Sequence, residues 1–146
     1  RLLDFTRSLI EFRAAHPTFR RRAFLTGGGA GSGLPDVWWF RPDGRKMTQR
    51  DWGRSEARTI GVFLNGEEIP TLSPRGELVR DDSFFLLFNG HYEPITFHLP
   101  TRRFGLRWEV VLSTADGGFV ESGPVVPARG EITLDARSVV VLRRAV

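Results

Sequence analysis

Two pairs of adjacent acidic residues are the first candidates for chemistry in this sequence. Asp81-Asp82 and Glu67-Glu68 offer the carboxylates that general acid and base catalysis requires. Adjacent side chains on an extended chain point to opposite sides, so neither pair can flank one scissile bond. Both pairs also lie in polar stretches typical of turns, where burial is too shallow to make a carboxyl group a proton donor. We therefore interpret them as solvated turn residues.

Histidine, glycine and serine residues form no catalytic or metal-binding motif in the sequence. His16, His91 and His98 are scattered and lack the i, i+4 spacing of a zinc-binding helix. The chain has no cysteine, which excludes disulfides, thiolate metal sites and a cysteine nucleophile. The glycine-rich stretch 27–33 fits neither a phosphate loop nor a dinucleotide fingerprint, and Ala30 replaces the first glycine of a Gly-x-Ser-x-Gly elbow. We expect no catalytic residue, no metal and no cofactor.

Aromatic residues in polar stretches are the candidates for a binding surface. Trp52 stands in a polar segment, and Tyr92 stands in a loop with Asn89 and His91. Flat aromatic faces stack on sugar rings, and neighbouring amides and acids bind hydroxyl groups. The alternative is that these rings anchor their own loops or become buried against a neighbouring domain, because exposed aromatic residues mark interfaces of every kind.

The elements that position these residues begin with a predicted amphipathic helix over residues 2–15. Its apolar residues recur at spacings of three and four. They are Leu2, Phe5, Leu9 and Phe12, flanked by Leu3 and Ile10. This apolar arc covers about half of the circumference, more than an ordinary surface helix shows, so the helix needs a large surface to lie against. Pro17 should end the helix by His16. Because no capping residue precedes the helix, we expect a piece of a larger protein.

Beyond the glycine-rich stretch, the periodicity changes to that of short β-strands. We expect strands at 37–40, 59–64, 83–89, 95–99, 108–114, 132–134 and 138–142. Turn signals such as Asn65-Gly66 recur about every dozen residues. Ile95, Phe97 and Leu99 alternate with polar residues and should face inward. The pattern predicts an all-β fold, an antiparallel β-sandwich, preceded by one amphipathic α-helix.

The composition limits the classes of protein that this chain can form. Its 146 residues suffice for about one domain, and 40% hydrophobic and 26% charged residues are typical of globular proteins in solution. No apolar run approaches the roughly 20 residues that span a bilayer, and the start lacks the features of a signal peptide. The chain has 21 basic residues, and their only run is the arginine triplet at positions 20–22. Because nucleic-acid binders concentrate charge on one face, we expect no nucleic-acid partner. Without a membrane-spanning run we expect no membrane partner, and the absence of cysteine is compatible with the cytoplasmic location that we expect.

The segment from Phe40 to Trp52 carries a resemblance to a known family. It reads Phe-Arg-Pro-Asp-Gly-Arg-Lys-Met-Thr-Gln-Arg-Asp-Trp, and it resembles the C-terminal part of bacterial glycogen debranching enzymes of the isoamylase type, in the α-amylase superfamily. Further matching segments lie in the same order along nearly the whole chain. They are 3–24, 60–66, 81–91, 93–94 and 136–142. The stretch 27–33 is less typical of that family.

The resemblance implies a domain organisation. Residues 1–16 would be the last helix of an otherwise absent (β/α) barrel of eight strands, 17–33 an Arg- and Gly-rich connector, and 34–146 the C-terminal β-sandwich domain. It also implies that the parent enzyme hydrolyses α-1,6 branch linkages with retention, through a carboxylate nucleophile and an acid on upstream barrel strands. Those residues are not in this chain, so no catalytic residue is carried over.

We therefore expect a non-catalytic domain that stabilises the catalytic barrel of a glycogen debranching enzyme, its main partner. The alternative is a glycan-binding module, in which an α-glucan or the barrel contacts Trp52, Tyr92, His91 and Asn89. In the isolated chain, the exposed helix should allow self-association. Two roles of the parent stay open, namely glycogen breakdown and trehalose synthesis.

Overall fold

The computed structural model describes residues 1–21, 24–29, 31–54, 58–70 and 72–145. Residues 22, 23 and 30 of the predicted connector lie outside these ranges. The chain divides into two compact units. The first unit comprises Arg1–Val37 and Leu64–Ser83, and the second comprises Trp38–Phe63 and Phe84–Val146.

The described residues form two helices and nine strands along the chain. They are α1 (Leu2–Ala15), β1 (Val37–Phe40), α2 (Gln49–Trp52), β2 (Thr59–Leu64), β3 (Phe84–Asn89), β4 (Ile95–His98), β5 (Arg107–Ser113), β6 (Gly118–Phe119), β7 (Val125–Pro127), β8 (Glu131–Leu134) and β9 (Ser138–Arg144). Short 3₁₀ turns lie at Pro17–Phe19 and Thr114–Asp116.

The strands form two sheets. The larger sheet has the strand order β1-β2-β3-β9-β5-β6, with β7 paired to β5, and the smaller sheet pairs β4 with β8. The pairings of β9 with β3 and with β5, and of β4 with β8, are antiparallel. Phe97 and Leu99 are buried, as their alternation predicted. The expected fold class, an antiparallel β-sandwich preceded by an amphipathic helix, is confirmed.

In the first unit, α1 has the length that the sequence predicts. It ends at Ala15, and His16 has extended backbone with φ −122° and ψ 101°, because a residue before proline avoids the helical region. No residue of α1 is buried. Leu2, Leu3 and Ile10 are 79%, 69% and 65% exposed. The Leu2, Leu3 and Ile10 side chains of the apolar face are thus open to solvent in this chain, while Phe5 and Phe12 of the same face are half-buried.

Two carboxylates of the first unit hold the described part of the glycine-rich stretch. The buried Asp36 accepts a hydrogen bond from the backbone N–H of Gly27 at 2.8 Å. Glu68 accepts hydrogen bonds from the backbone N–H groups of Gly31 at 3.0 Å and of Ser32 at 2.7 Å. Backbone N–H groups need such partners when no regular element supplies them. The acids therefore act as backbone acceptors for this loop.

One arginine of the basic run is also engaged within the first unit. The guanidinium of Arg21 donates to the carbonyl oxygens of Glu68 at 2.8 Å and Asn65 at 2.7 Å. Burial lowers the pKa of Arg21, while the charges of Asp36 and Asp81 raise it in part. This side chain therefore ties the chain that follows α1 to the turn after β2.

The core of the second unit is built from aromatic rings on different strands. Phe85 lies 5.3 Å from Phe40 and 5.7 Å from Trp108 between ring centroids. Phe63 and Phe104 meet at 5.1 Å with planes 77° apart. Aromatic pairs of this kind add about 0.5–1.5 kcal/mol each beyond the burial of their area. These rings therefore carry much of the stability of the second unit.

Replacement of a core ring tests this arrangement. Phe85→Ala should lower the free energy of unfolding by about 3–5 kcal/mol, because Phe85 is 1% exposed and its removal leaves a cavity. The control is Phe88→Ala on the same strand, where the ring is 36% exposed, and its loss should be about 1 kcal/mol. Urea unfolding measures both, and equal losses would contradict the description of the core.

Candidate functional site

The segment that follows β1 folds back along the open side of that strand. Phe40 pairs with Lys46 in an antiparallel bridge, and the N–H of Met47 donates to the carbonyl of Trp39 at 2.8 Å. Because β1 stands at the end of the larger sheet, its outer edge would otherwise present unpaired backbone groups. The returning segment therefore protects the edge and sets the path toward α2.

The turn of this hairpin explains the sequence Pro-Asp-Gly. Gly44 has φ +84°, and a Cβ there would lie 3.1 Å from the carbonyl oxygens of both His98 and Leu99. Glycine is therefore required both for its conformation and for the close approach. The Asp43 carboxylate accepts from the N–H of Arg45 at 3.0 Å and also pairs with Arg41. The hydrogen bond from Arg41 is the main cause that lowers the pKa of Asp43.

The helical turn α2 begins with a capping box. The hydroxyl of Thr48 accepts from the N–H of Asp51 at 3.3 Å, and the Asp51 carboxylate accepts from the N–H of Thr48 at 2.8 Å. The backbone and side-chain hydrogen bonds from Thr48 lower the pKa of Asp51. Arg41 lies 3.6 Å from the same carboxylate. Asp51 is thus an ionised acceptor held in a defined position.

Helix α2 places Trp52 against Trp39 of β1. The two ring centroids are 5.4 Å apart and the ring planes are inclined by 77°. Trp52 is 52% exposed and Trp39 is 39% exposed. We call this exposed pair the tryptophan corner. Trp52 was predicted from the sequence as a binding residue, whereas Trp39 was not. Strand alternation offered a signal for Trp39, since adjacent Trp38 and Trp39 must face opposite ways.

A pocket of about 300 Å³ lies in the same unit. Its lining includes Arg41, Asp51 and Arg54 from the hairpin and α2, together with His91. His91, which the sequence predicted as a contact residue, thus shares a pocket with charged residues close to Trp52 in the chain. The sequence did not indicate this proximity.

The other selected residues have different surroundings. Tyr92 is 63% exposed, and its ring stacks on His91 with centroids 4.4 Å apart. Asn89 is only 2% exposed. Its amide donates to the carbonyls of Glu93 and Asp135 at 3.0 Å each, and its oxygen accepts from the N–H of His91 at 3.0 Å. Asn89 therefore shapes the loop that presents His91 and Tyr92.

A separate polar cluster lies in the first unit, where His16, Asp81 and Asp82 have potential ligand atoms within 4.8 Å of one another. One Asp81 oxygen lies 2.9 Å from His16 Nδ1, and the other accepts from the hydroxyl of Thr18 at 2.7 Å. These contacts engage both oxygens of Asp81 with protein groups. The cluster therefore anchors the chain segment just after α1. Its residues are far apart in the sequence, so a motif with fixed spacing could not have predicted the cluster.

Two opposing effects act on the pKa of the Asp81 carboxyl group. Burial raises its pKa, but the hydrogen bonds from His16 and from the side chain and backbone of Thr18 lower it by more. The pKa of Asp81 in the folded chain is therefore below its ordinary value. The folded state favours the ionised form of this carboxyl group.

The depressed pKa predicts how this contact responds to acid. The stabilisation of the folded state by the ionised Asp81 carboxylate is complete above the unfolded-state pKa of about 3.9. It is lost as pH falls through the lower folded-state pKa. Asp81→Asn should therefore cost about 1–3 kcal/mol near neutral pH, and its deficit against the unmodified chain should shrink in acid.

Denaturant unfolding between neutral and acidic pH measures this deficit. Asp82→Asn is the matched control, because Asp82 contacts Thr18 through its backbone carbonyl, at 2.8 Å. A deficit that stays constant with pH, or one that is equal in the control, would show that the Asp81 carboxylate is not the group responsible.

The fold and the hairpin define the class of this chain as an antiparallel β-sandwich with an exposed aromatic surface. Beside this surface, Asp43 holds the hairpin turn and Asp51 caps α2. The chain belongs to the isoamylase C-terminal domain family, because the family model described as "Isoamylase, C-terminal" matches residues 36–143. The recognition made from the sequence is thereby confirmed. In the described residues, no helix combines the length and apolar character needed to cross a bilayer.

Several curated relatives share this similarity. The chain is 41% identical, over 98% of its length, to the "Glycogen operon protein GlgX homolog" of Mycobacterium tuberculosis and of Mycobacterium bovis, and covers 20% of each. It is 28% identical, over 77% of its length, to "Isoamylase" of Pseudomonas amyloderamosa and covers 12% of that protein. The chain thus spans at most about a fifth of the length of these relatives.

Proposed function

We propose that this chain is the non-catalytic C-terminal domain of an enzyme that hydrolyses α-1,6 branch linkages in glycogen, and that it stabilises the catalytic barrel. The family membership and the names of the longer relatives support this proposal. The catalytic carboxylates would come from the remainder of that enzyme, which we place in the cytoplasm. In this organisation, 1–16 is the last barrel helix, 17–33 the connector and 34–146 the sandwich domain.

The exposed apolar face of α1 is the observation that carries this proposal. Leu2, Leu3, Leu9 and Ile10 are 79%, 69%, 40% and 65% exposed. Removal of apolar area from water contributes roughly 25 cal/mol per Å². A helix that presents such side chains along its length gains stability when another domain covers them. The catalytic domain is the partner that we propose for this face.

The first unit also exposes apolar residues away from the helix. Phe24, Leu72 and Leu78 are 98%, 59% and 64% exposed. Phe24 and Leu78 line a depression of about 940 Å³ together with Ile69 and Pro70. Interfaces between domains of one chain commonly bury about 600–1,500 Å². These residues add to the apolar area that the proposed catalytic domain would cover.

A pair of substitutions on α1 tests the proposed contact in the full-length enzyme. Leu3→Ser with Ile10→Ser should lower its Tm by several degrees, because each covered side chain contributes about 1.5–3 kcal/mol. Asp4→Ser with Arg7→Ser, on the polar side of α1, is the control for lost helix propensity. Thermal scanning measures both. A Tm loss no larger than that of the control would refute the contact.

The same variants serve in the isolated chain, where these apolar side chains already face water. At a dilution where the isolated chain is monomeric, the apolar pair and the control should change Tm equally.

We further propose that, at higher concentration, the open face lets the isolated chain self-associate, so its mass by light scattering should exceed that of a monomer. The apolar pair should restore the monomeric mass, and a monomeric unmodified chain would contradict self-association.

Glycan binding is the second candidate function, and the exposure of Trp52 and Tyr92, 52% and 63%, favours it. His91 stacks on Tyr92, and Asn89 holds their loop in place. Aromatic faces that remain in water beside polar groups suit sugar rings, which have apolar faces and polar rims.

Electrophoresis of the isolated chain through a gel that contains glycogen tests this candidate. Glycogen should retard the chain in a concentration-dependent manner, because binding to a large polymer slows migration. A protein of similar size and charge that binds no sugar provides the control. Equal mobility with and without glycogen would refute glycan binding.

A further inference from the structure

We propose that the tryptophan corner and the charged pocket of the same unit form one binding site for a short segment of α-1,4-linked glucan. The inference rests on the proposed function, since it takes the substrate of the parent enzyme as the ligand. It goes beyond that function by naming a site in this chain, by adding Trp39, and by predicting which glucan linkage the site prefers.

The first argument is that both indole rings stay in water. Trp39 and Trp52 are 39% and 52% exposed although each belongs to a regular element. The core rings of the same unit, Phe63, Phe85 and Trp108, are at most 1% exposed. The core therefore does not account for the corner. Large aromatic surfaces that remain exposed are typical of sites that a ligand or partner covers.

The second argument is that the corner is held in place by backbone hydrogen bonds. Met47 donates to the carbonyl of Trp39, which fixes the returning segment on β1. The capping box of Thr48 and Asp51 then starts α2 in a defined direction. Rings that are already positioned lose little conformational entropy on binding, so more of the stacking energy becomes affinity.

The third argument concerns the polar groups around the corner. Asp51 directly precedes Trp52, and with Arg41 and His91 it lines the pocket of about 300 Å³. A carboxylate accepts hydrogen bonds from hydroxyl groups, and a guanidinium donates to them through a planar fork. A volume near 300 Å³ is the lower end of the range for small-molecule sites, which suits a short saccharide.

The angle between the rings points to the linkage. The planes of Trp39 and Trp52 are inclined by 77°, so the two rings do not form one flat platform. An α-1,4-linked glucan coils, and its successive sugar faces are inclined to one another. A β-1,4-linked glucan is flat and would need parallel rings. The corner therefore suits the coiled chain.

Titration of the 146-residue chain with maltoheptaose and with cellohexaose tests the site, with calorimetry or NMR shifts as readout. Maltoheptaose should bind saturably and cellohexaose should bind at least tenfold more weakly. Trp52→Ala and Trp39→Ala should each weaken maltoheptaose binding about tenfold or more, and Trp52→Tyr should retain part of it. Leu106→Ala is the matched control, because this apolar residue of the same unit is 60% exposed and lies outside the site.

The outcomes separate this inference from the proposed function. In the full-length enzyme, Trp52→Ala should raise the KM for glycogen, whereas the control Leu106→Ala should leave that KM unchanged. An enzyme with no debranching activity would refute the proposed function, whatever the chain binds. Absent or equal binding of the two oligosaccharides would overturn the inference. So would a Trp52→Ala variant that lowers the Tm of the full-length enzyme without affecting glucan binding, because the corner would then be a domain contact.

Discussion

The antiparallel register between β3 and β9 is the constraint on which the second unit depends. It places Phe85 opposite Leu142 and Leu87 opposite Val140, and all four side chains are buried. A slip by one residue would turn each of them to the other face of the sheet. The same register sets Asn89 opposite Ser138, at the end of the strand. The loop that presents His91 and Tyr92 therefore takes its position from the packing of the core.

Several acidic side chains of this chain accept hydrogen bonds from backbone N–H groups, a structural role that competes with catalytic use. Asp36, Glu68 and Asp51 each accept hydrogen bonds from backbone N–H groups, and Asp81 does so for Thr18. For Asp51 and Asp81, these hydrogen bonds help to lower the pKa of the carboxyl group, which is the opposite of what a proton donor needs.

The two kinds of exposed apolar surface suit different tasks. The residues of α1 are aliphatic, flexible and spread along a helix, which suits contact with a broad protein surface. The tryptophan corner is aromatic, is held by hydrogen bonds and has charged groups beside it, which suits a small polar ligand. We therefore assign to this domain a stabilising contact through α1 and a glucan contact through Trp39 and Trp52, as proposals that can fail independently.

Local rules were sufficient to predict much of this structure from the sequence. The bounds of α1, its end before Pro17 and the inward alternation of Phe97 and Leu99 follow from periodicity and backbone sterics, which act over a few residues. The exposure of Trp52 and Tyr92 also agrees with their polar neighbours in the chain.

Only the tertiary structure decided which distant residues meet, because strand order and packing bring them together. It joined His16 to Asp81, set His91 in one pocket with Arg41, and grouped residues 64–83 with the N-terminal helix in one unit. It also buried Asn89, whose carbonyl acceptor at Asp135 is distant in sequence.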